Sequence, residues 1–174
     1  MSIVSRIVWI YIALLACPAF AQEGPELGVA VTADQIASWA ISVQPDGTGL
    51  PAGSGNAAAG AEVYAMKCLA CHGSEGAGGL NDRLVGGHGT ISSDTPVRTI
   101  GSYWPYATTV FDYIRRAMPL MQPQSLSNDE TYAVTAYLLE LNGIINEGDV
   151  MDAETVPNVE MPNAGNFIWI YSEK

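Results

Sequence analysis

The five residues Cys68-Leu69-Ala70-Cys71-His72 constrain this chain more than any other feature. Two thiols one turn apart, with a histidine directly after the second, form the attachment motif for a c-type haem. Each thiol adds to one vinyl group of the porphyrin, and the histidine lies beneath the ring as an iron ligand. The motif therefore predicts one covalently bound haem c, held by Cys68 and Cys71, with His72 as the proximal ligand.

The same cysteine pair is also compatible with a zinc site or with a redox-active disulfide. A zinc site needs further Cys or His ligands at suitable spacing, and after residue 72 the sequence offers only His88. Haem attachment is therefore the favoured interpretation. It brings redox chemistry that no amino-acid side chain supplies.

The start of the chain predicts export. A weakly basic beginning precedes an apolar run over residues 7–16, and Ala19-Phe20-Ala21 offers an A-x-A cleavage site. We therefore expect a signal peptide over residues 1–21 and a periplasmic protein. The apolar run is short for a membrane span.

The third cysteine, Cys17, lies inside this signal and would leave with it, so no disulfide is available to the mature chain. Leu14-Leu15-Ala16-Cys17 also loosely resembles a lipoprotein cleavage box, which would leave the product anchored to a membrane through a lipid on Cys17. The better A-x-A site favours the form without a lipid anchor.

The length and net charge of the mature chain indicate which kinds of molecule it binds. Without residues 1–21 the chain has 153 residues, enough for one ordinary domain. Removal of Arg6 leaves 6 basic residues against 18 acidic ones, a net charge of −12. This acidity argues against nucleic acid as a partner and favours a basic patch on another protein.

Turn and capping patterns divide the mature chain into three parts. Residues 22–56 form an N-terminal arm that lies against the domain, with a short helix opened by the capping pattern at Thr32–Gln35. In that helix, Ile36 and Trp39 are expected to pack on a neighbour. Residues 57–143 form the haem-binding domain. Residues 144–174 form a tail, packed on the domain or on a partner, that includes an apolar run over 167–171.

Hydrophobic spacing predicts a helix over about 57–70 that leads into the haem motif. Within it, Gly60 would permit close approach of another helix, and Tyr64 would pack at that crossing. Residues 73–102 are rich in glycine, so we expect irregular backbone wrapped close to the haem edge.

A second helix is predicted over about 108–117, with Val110, Tyr113, Ile114 and Ala117 on one face. Arg115 and Arg116 lie in its last turn, where cations suit the helix dipole. Either arginine would also be able to pair with a haem propionate or with a carboxylate of a partner.

A third helix begins at the capping box Ser127–Glu130 and ends before Gly143. Its predicted buried stripe consists of Val134, Tyr137, Leu138 and Leu141.

A histidine-ligated haem needs a second axial ligand, and a methionine thioether is the common choice in electron-carrying cytochromes. Met118 is best placed, because Pro119 forces it out of helical conformation and so ends the second helix at a thioether. Met121 is the second choice. His88 and an open coordination site remain as further alternatives.

The order of helix, haem motif, glycine-rich loop, helix, Met-Pro and capped helix resembles the class I c-type cytochromes. Flanking segments are also similar to the cytochrome subunits of periplasmic sulfite and sulfur dehydrogenases. These segments are Val43–Pro51, Gly101–Thr109, Phe111–Pro119, Pro123–Leu126, Thr135–Tyr137 and Met161–Asn163. The resemblance implies an all-α fold, with helices wrapped around one haem and with N- and C-terminal extensions.

The resemblance also implies a function. It implies a carrier of single electrons, not itself an enzyme, that accepts them from a molybdenum-containing dehydrogenase and passes them to another cytochrome or an oxidase. Some relatives carry two haems, whereas this chain has one Cys-x-x-Cys-His. The proline that usually follows the motif, and whose carbonyl orients the imidazole, is missing from Leu80–Leu84, so another backbone carbonyl must replace it.

Two other classes of function remain open from the sequence. One is a haem enzyme with an open sixth coordination site, such as a peroxidase or a small-molecule reductase. The other is a binding or sensing module that uses haem structurally.

Overall fold

The computed structural model describes residues 27–168 and 170, and its regular structure is mostly helical. The predicted signal peptide and Cys17 lie outside these residues. The chain divides into two units, Met1–Ile36 and Ala37–Lys174. Among the helices of the described residues, none has the length and apolar character that crossing a membrane requires.

Helix α1 (Ala33–Trp39) begins at the predicted capping pattern. The amide of Gln35 donates to Thr32 Oγ1 (3.2 Å), and the amide of Thr32 donates to Gln35 Oε1 (2.9 Å). Within the second unit, the expected packing of Trp39 is wrong, since its side chain is 86% exposed.

Four further helices and two short strands follow along the chain. They are β1 (Ser54–Asn56), α2 (Ala57–Lys67), the single-turn α3 (Leu69–His72), α4 (Ala107–Ala117), α5 (Asn128–Leu141) and β2 (Val150–Asp152). Isolated 3₁₀ turns lie at Ser74–Gly76, Val156–Asn158 and Ala164–Asn166. The two strands form an antiparallel pair in which Gly55 lies opposite Met151. The predicted all-α fold did not include this pair.

Local sequence explains where the helices begin and end. The Asn56 side chain accepts from the amide of Ala59 (3.0 Å) and caps α2, while both halves of the predicted capping box at Ser127 and Glu130 are formed on α5. Helix α4 ends at Met118, whose backbone is extended (φ −119°, ψ 147°), as expected before a proline.

Helices α2 and α5 cross in direct backbone contact at Gly60. A Cβ atom there would lie 1.9 Å from the carbonyl oxygen of Ala133, so only glycine fits. One turn further on, the rings of Tyr64 and Tyr137 pack with centroids 5.4 Å apart. Lys67 Nζ then pairs with Glu130 Oε1 at 2.7 Å. The crossing predicted from Gly60 and Tyr64 is confirmed.

The core extends beyond the helices into both extensions. It takes Val43 from the arm and Met151, Val156 and Met161 from the tail. The tail is therefore packed on the domain at least as far as residue 161, whereas Ile168 and Ile170 are exposed.

The predicted buried faces of two helices are only partly correct. Tyr113 of α4 is 46% exposed, although its ring packs edge-on against Trp104 with centroids 5.5 Å apart. On α5, Val134 and Leu138 are buried, while Tyr137 and Leu141 are half-buried. Helix α5 is surrounded on most of its circumference, which a single stripe does not anticipate.

We expect Gly60→Ala to lower the free energy of unfolding by about 2–3 kcal/mol, because the added methyl group forces α2 away from the backbone of α5. Urea titration of the haem-loaded protein measures this loss. Gly165→Ala is the matched control, since nothing lies within 4 Å of a Cβ added at residue 165. Equal stability of the two variants would contradict the close crossing.

Tyr64 predicts a pH dependence. Burial raises the pKa of its phenol to about 12, above the ordinary value of 10. The pKa of this phenol is higher in the folded protein than in the unfolded chain. The buried phenol therefore contributes fully to the free energy of unfolding below pH 10, and this contribution is lost as the pH rises toward 12.

Tyr64→Phe removes this titration together with the hydrogen bond from Tyr64 Oη to the carbonyl of Gly73 (2.8 Å). The variant should be less stable by about 1 kcal/mol at pH 8. The difference from the wild type should shrink by pH 11, as urea unfolding at both pH values would show. Tyr113→Phe serves as a control for the loss of a more exposed phenol, and a pH-independent difference for Tyr64→Phe would refute the assignment.

Candidate haem site

The three residues of the haem motif lie on one turn where α2 ends. The backbone at Cys68 departs from helical geometry (φ −122°, ψ −36°), and α3 begins at the next residue. The amides of Cys71 and His72 both donate to the carbonyl of Cys68, at 3.1 and 3.0 Å. Both cysteines are free thiols, and all three side chains are half-buried. The turn therefore presents two thiols and an imidazole together.

The imidazole of His72 is oriented by a backbone carbonyl. Its Nδ1 lies 2.8 Å from the carbonyl oxygen of Asp82. Since a carbonyl only accepts hydrogen bonds, Nδ1 carries the proton and Nε2 keeps its lone pair for a metal. The sequence predicted that another backbone carbonyl replaces that of the missing proline without saying which one, and in the structure the carbonyl of Asp82 has this place.

The loop that carries this carbonyl is fixed by its own backbone. The amide of Asn81 donates to the carbonyl of Cys71 (2.9 Å), and the amide of Leu84 donates to that of Gly76 (2.8 Å). Gly73 has φ +75°, and a Cβ there would lie 2.2 Å from the carbonyl oxygen of Gly78. At this position, glycine is required because the loop packs on itself.

Asn142, which sequence reasoning missed, ties the same loop to α5. Its buried side chain donates to the carbonyls of Leu138 (2.8 Å) and Leu84 (3.3 Å) and accepts from the amide of Gly86 (3.1 Å). An asparagine before Gly143 reads as an ordinary helix end, so the sequence carries no signal for this role.

The thiols do not resemble those of a redox-active disulfide or a zinc site. Burial raises the pKa of the Cys68 thiol to about 11, whereas reactive cysteine pairs work through a lowered pKa. Within residues 27–168 and 170, no group of three or more His, Cys, Asp or Glu residues is placed to hold a metal ion. The raised pKa of Cys68 favours haem attachment over a redox-active pair.

The donor set fits a haem c: two thiols for the vinyl groups and an imidazole with Nε2 available. For the second face, Met118 is half-buried and packs against the core at the end of α4. Met121 is 89% exposed, which disfavours it as the ligand of a buried iron. His88 is exposed and lies beside Gly101, where it lines a cavity of about 330 Å³ with Asn163.

The two arginines of α4 are bound to the chain itself. Arg115 Nη1 donates to the carbonyl of Ile41 (3.2 Å), and Arg116 Nε donates to both carboxylate oxygens of Asp112 (2.9 and 3.0 Å). These contacts give both arginines a structural role within the chain.

Comparison with known proteins identifies relatives of this chain. Residues 55–138 match the model of the family described as cytochrome c oxidase, cbb3-type, subunit III. A chain in the crystal structure of the sulfane dehydrogenase SoxCD from Paracoccus pantotrophus is similar, with 43% sequence identity and a TM-score of 0.78. The match covers 82% of this chain and 71% of that one.

A thiosulfate dehydrogenase from Allochromatium vinosum is 27% identical over 128 residues, or 72% of this chain. The match spans 43% of that relative, which is less than half of its length.

These matches confirm the predicted class I cytochrome c fold, in which helices surround a covalently bound haem c. The chain belongs to the c-type cytochromes, and it is an electron carrier related to the components of sulfur dehydrogenases.

Proposed function

We propose that this chain is a mono-haem cytochrome that accepts single electrons from a molybdenum-containing sulfite or sulfur dehydrogenase. It passes them to another cytochrome or to an oxidase and catalyses no bond change itself. The observation that carries the proposal is the 43% identity with a chain of the sulfane dehydrogenase SoxCD, over 82% of this chain. The similarity to a thiosulfate dehydrogenase supports the same class of inorganic sulfur substrate for the donor.

When bound, the haem supplies a reversible one-electron centre. Cys68 and Cys71 would hold it through thioether bonds, and His72 would ligate the iron through Nε2. The Asp82 carbonyl, 2.8 Å from Nδ1, fixes the tautomer and the orientation of that imidazole. A single Cys-x-x-Cys-His supports one haem per chain.

Met118 would provide the ligand on the other face. A thioether raises the reduction potential relative to a second histidine and closes the iron to water and small ligands. Its packing against the core supports a permanent ligand. It therefore supports a carrier over an enzyme with an open coordination site.

We expect this carrier to function in the periplasm. The proposal of a periplasmic location rests on the predicted signal peptide over residues 1–21 and on the covalent attachment motif.

Met118→Ala should abolish the methionine-to-iron charge-transfer band of the oxidised protein and lower its reduction potential, because the thioether stabilises the reduced iron. Absorption spectroscopy and a redox titration measure the two effects. Met121→Ala is the matched control, an exposed methionine three residues away, and should change neither. If Met121→Ala abolishes the band and Met118→Ala does not, Met121 is the ligand. If the band survives in both variants, neither methionine is the ligand.

The donor is tested by mixing the oxidised cytochrome with a purified molybdenum sulfite dehydrogenase and sulfite. We expect rapid appearance of the reduced haem spectrum, at a rate proportional to enzyme concentration. Sulfite without enzyme, and enzyme without sulfite, control for direct reduction. The same experiment is repeated with a sulfane dehydrogenase and its substrate. If both enzymes oxidise their substrates with another electron acceptor but neither reduces the haem, the proposed donor class is wrong.

A further inference from the structure

We propose that residues 41–54, termed the strap, hold the Met118 loop in place, and that Thr108, Asp112 and Arg115 are positioning residues for the distal ligand. The Met118 loop is the segment 118–127 between α4 and α5. The inference rests on the proposed function in taking Met118 as the iron ligand.

The first half of the strap is bound along α4. Its polar partners are spaced four and three residues apart, so they share one face of that helix. The bonds join Thr108 Oγ1 to Pro45 O (3.1 Å), Asp112 Oδ1 to Val43 N (2.9 Å) and Arg115 Nη1 to Ile41 O (3.2 Å). The strap positions are alternate residues, as in an extended segment that runs antiparallel to the helix.

Asp112 is the strongest of these anchors. Its side chain is only 8% exposed, and the same carboxylate that accepts from the amide of Val43 also pairs with Arg116. A hydrogen bond to a buried, charged acceptor is stronger than one between neutral groups.

The second half of the strap is bound to the first turns of α5. The bonds join Tyr132 Oη to Pro51 O (2.8 Å), Asn128 Nδ2 to Ala52 O (3.0 Å) and Asp129 Oδ1 to Ser54 N (2.8 Å). One continuous segment therefore ties together the two helices that flank the Met118 loop.

The loop has little else to hold it. Residues 120–125 are all exposed, and Leu126 is its buried side chain. Its backbone bonds are local, from Gln122 to the carbonyl of Pro119 (2.8 Å) and from Ser125 to that of Gln122 (3.3 Å). The position of Met118 thus depends on its packing against the core and on the two helix ends, which the strap joins.

The strap is also connected to α2, the helix that leads into the haem motif. It runs into β1, and Asn56 at the end of β1 caps α2, which leads to Cys68. The strap itself is held by a tight turn, in which the amide of Gln44 donates to the carbonyl of Thr48 (2.8 Å). The segment therefore connects the helix before the proximal ligand to the helix before the distal one.

The test is a double variant, Thr108→Val with Arg115→Gln, which removes two strap bonds and leaves Met118 in place. The matched control is Thr135→Val with Arg98→Gln. Thr135→Val removes a hydrogen bond from a buried hydroxyl, that of Thr135 Oγ1 to the carbonyl of Thr131 (2.7 Å). Arg98→Gln removes a positive charge that lies over the ring of Tyr103. The readout is the affinity of the oxidised holoprotein for imidazole, which replaces a methionine ligand and removes its charge-transfer band.

Each lost bond should make the exchange of methionine for imidazole about fivefold more favourable, and the double variant should bind imidazole roughly 10- to 30-fold more tightly. The control should stay within about threefold of the wild type, although its thermal stability falls by a similar amount. Equal imidazole affinity in the two double variants would overturn the proposal, since general destabilisation would then explain both.

A second measurement uses the wild-type protein, so it remains decisive if the double variant does not fold. Because coupling is reciprocal, saturation with imidazole should speed hydrogen exchange at the amide of Val43. The amide of Ile144, which donates to the carbonyl of Leu139 (3.0 Å) outside the strap and the Met118 loop, should be unchanged. Unchanged protection of Val43 would overturn the strap proposal. A charge-transfer band that survives Met118→Ala would instead overturn the ligand assignment, so the two failures are distinguishable.

Discussion

The contact of Gly60 with the backbone of Ala133 is the constraint on which the rest of the fold depends. Gly55 of β1 meets the same residue, since a Cβ added there would lie 2.4 Å from the Ala133 amide nitrogen. Two glycines thus seat β1 and α2 against one point of α5. Because α2 leads directly into the haem motif, the placement of Cys68 follows from this crossing. Burial of the surrounding aromatic rings stabilises it.

The orientation of the His72 imidazole depends on a backbone carbonyl. The carbonyl of Asp82 accepts from His72, and the loop that presents it is held by Asn142 of α5 and by amides of its own chain. Helix α5 therefore acts twice, through the crossing with α2 and through Asn142. A substitution in α5, far from the motif in sequence, is in this way connected to the orientation of the His72 imidazole.

The sequence predicts the features that depend on short range. The haem motif, the caps at Thr32 and Ser127 and the end of α4 at Pro119 each follow from a few adjacent residues. The pairing of β1 with β2 does not, because three-residue strands almost 100 positions apart have no periodicity to recognise. Backbone carbonyls such as that of Asp82 belong to every residue type and leave no mark on the sequence. The exposure of Trp39 was missed because an apolar side chain near a cap usually packs on a neighbour.

The similarity of this cytochrome to the SoxCD chain extends beyond the residues of the general family model. The general family model covers residues 55–138, whereas the SoxCD chain matches 82% of the 174 residues, which is about 143. Residues 57–143 alone are too few to account for that match, so it extends into the arm or the tail. These extensions contribute Val43, Met151 and Met161 to the core and the strap bonds to α4. Parts of the chain that lie outside the general family model are therefore packed into the core and bonded along α4, the helix that precedes Met118.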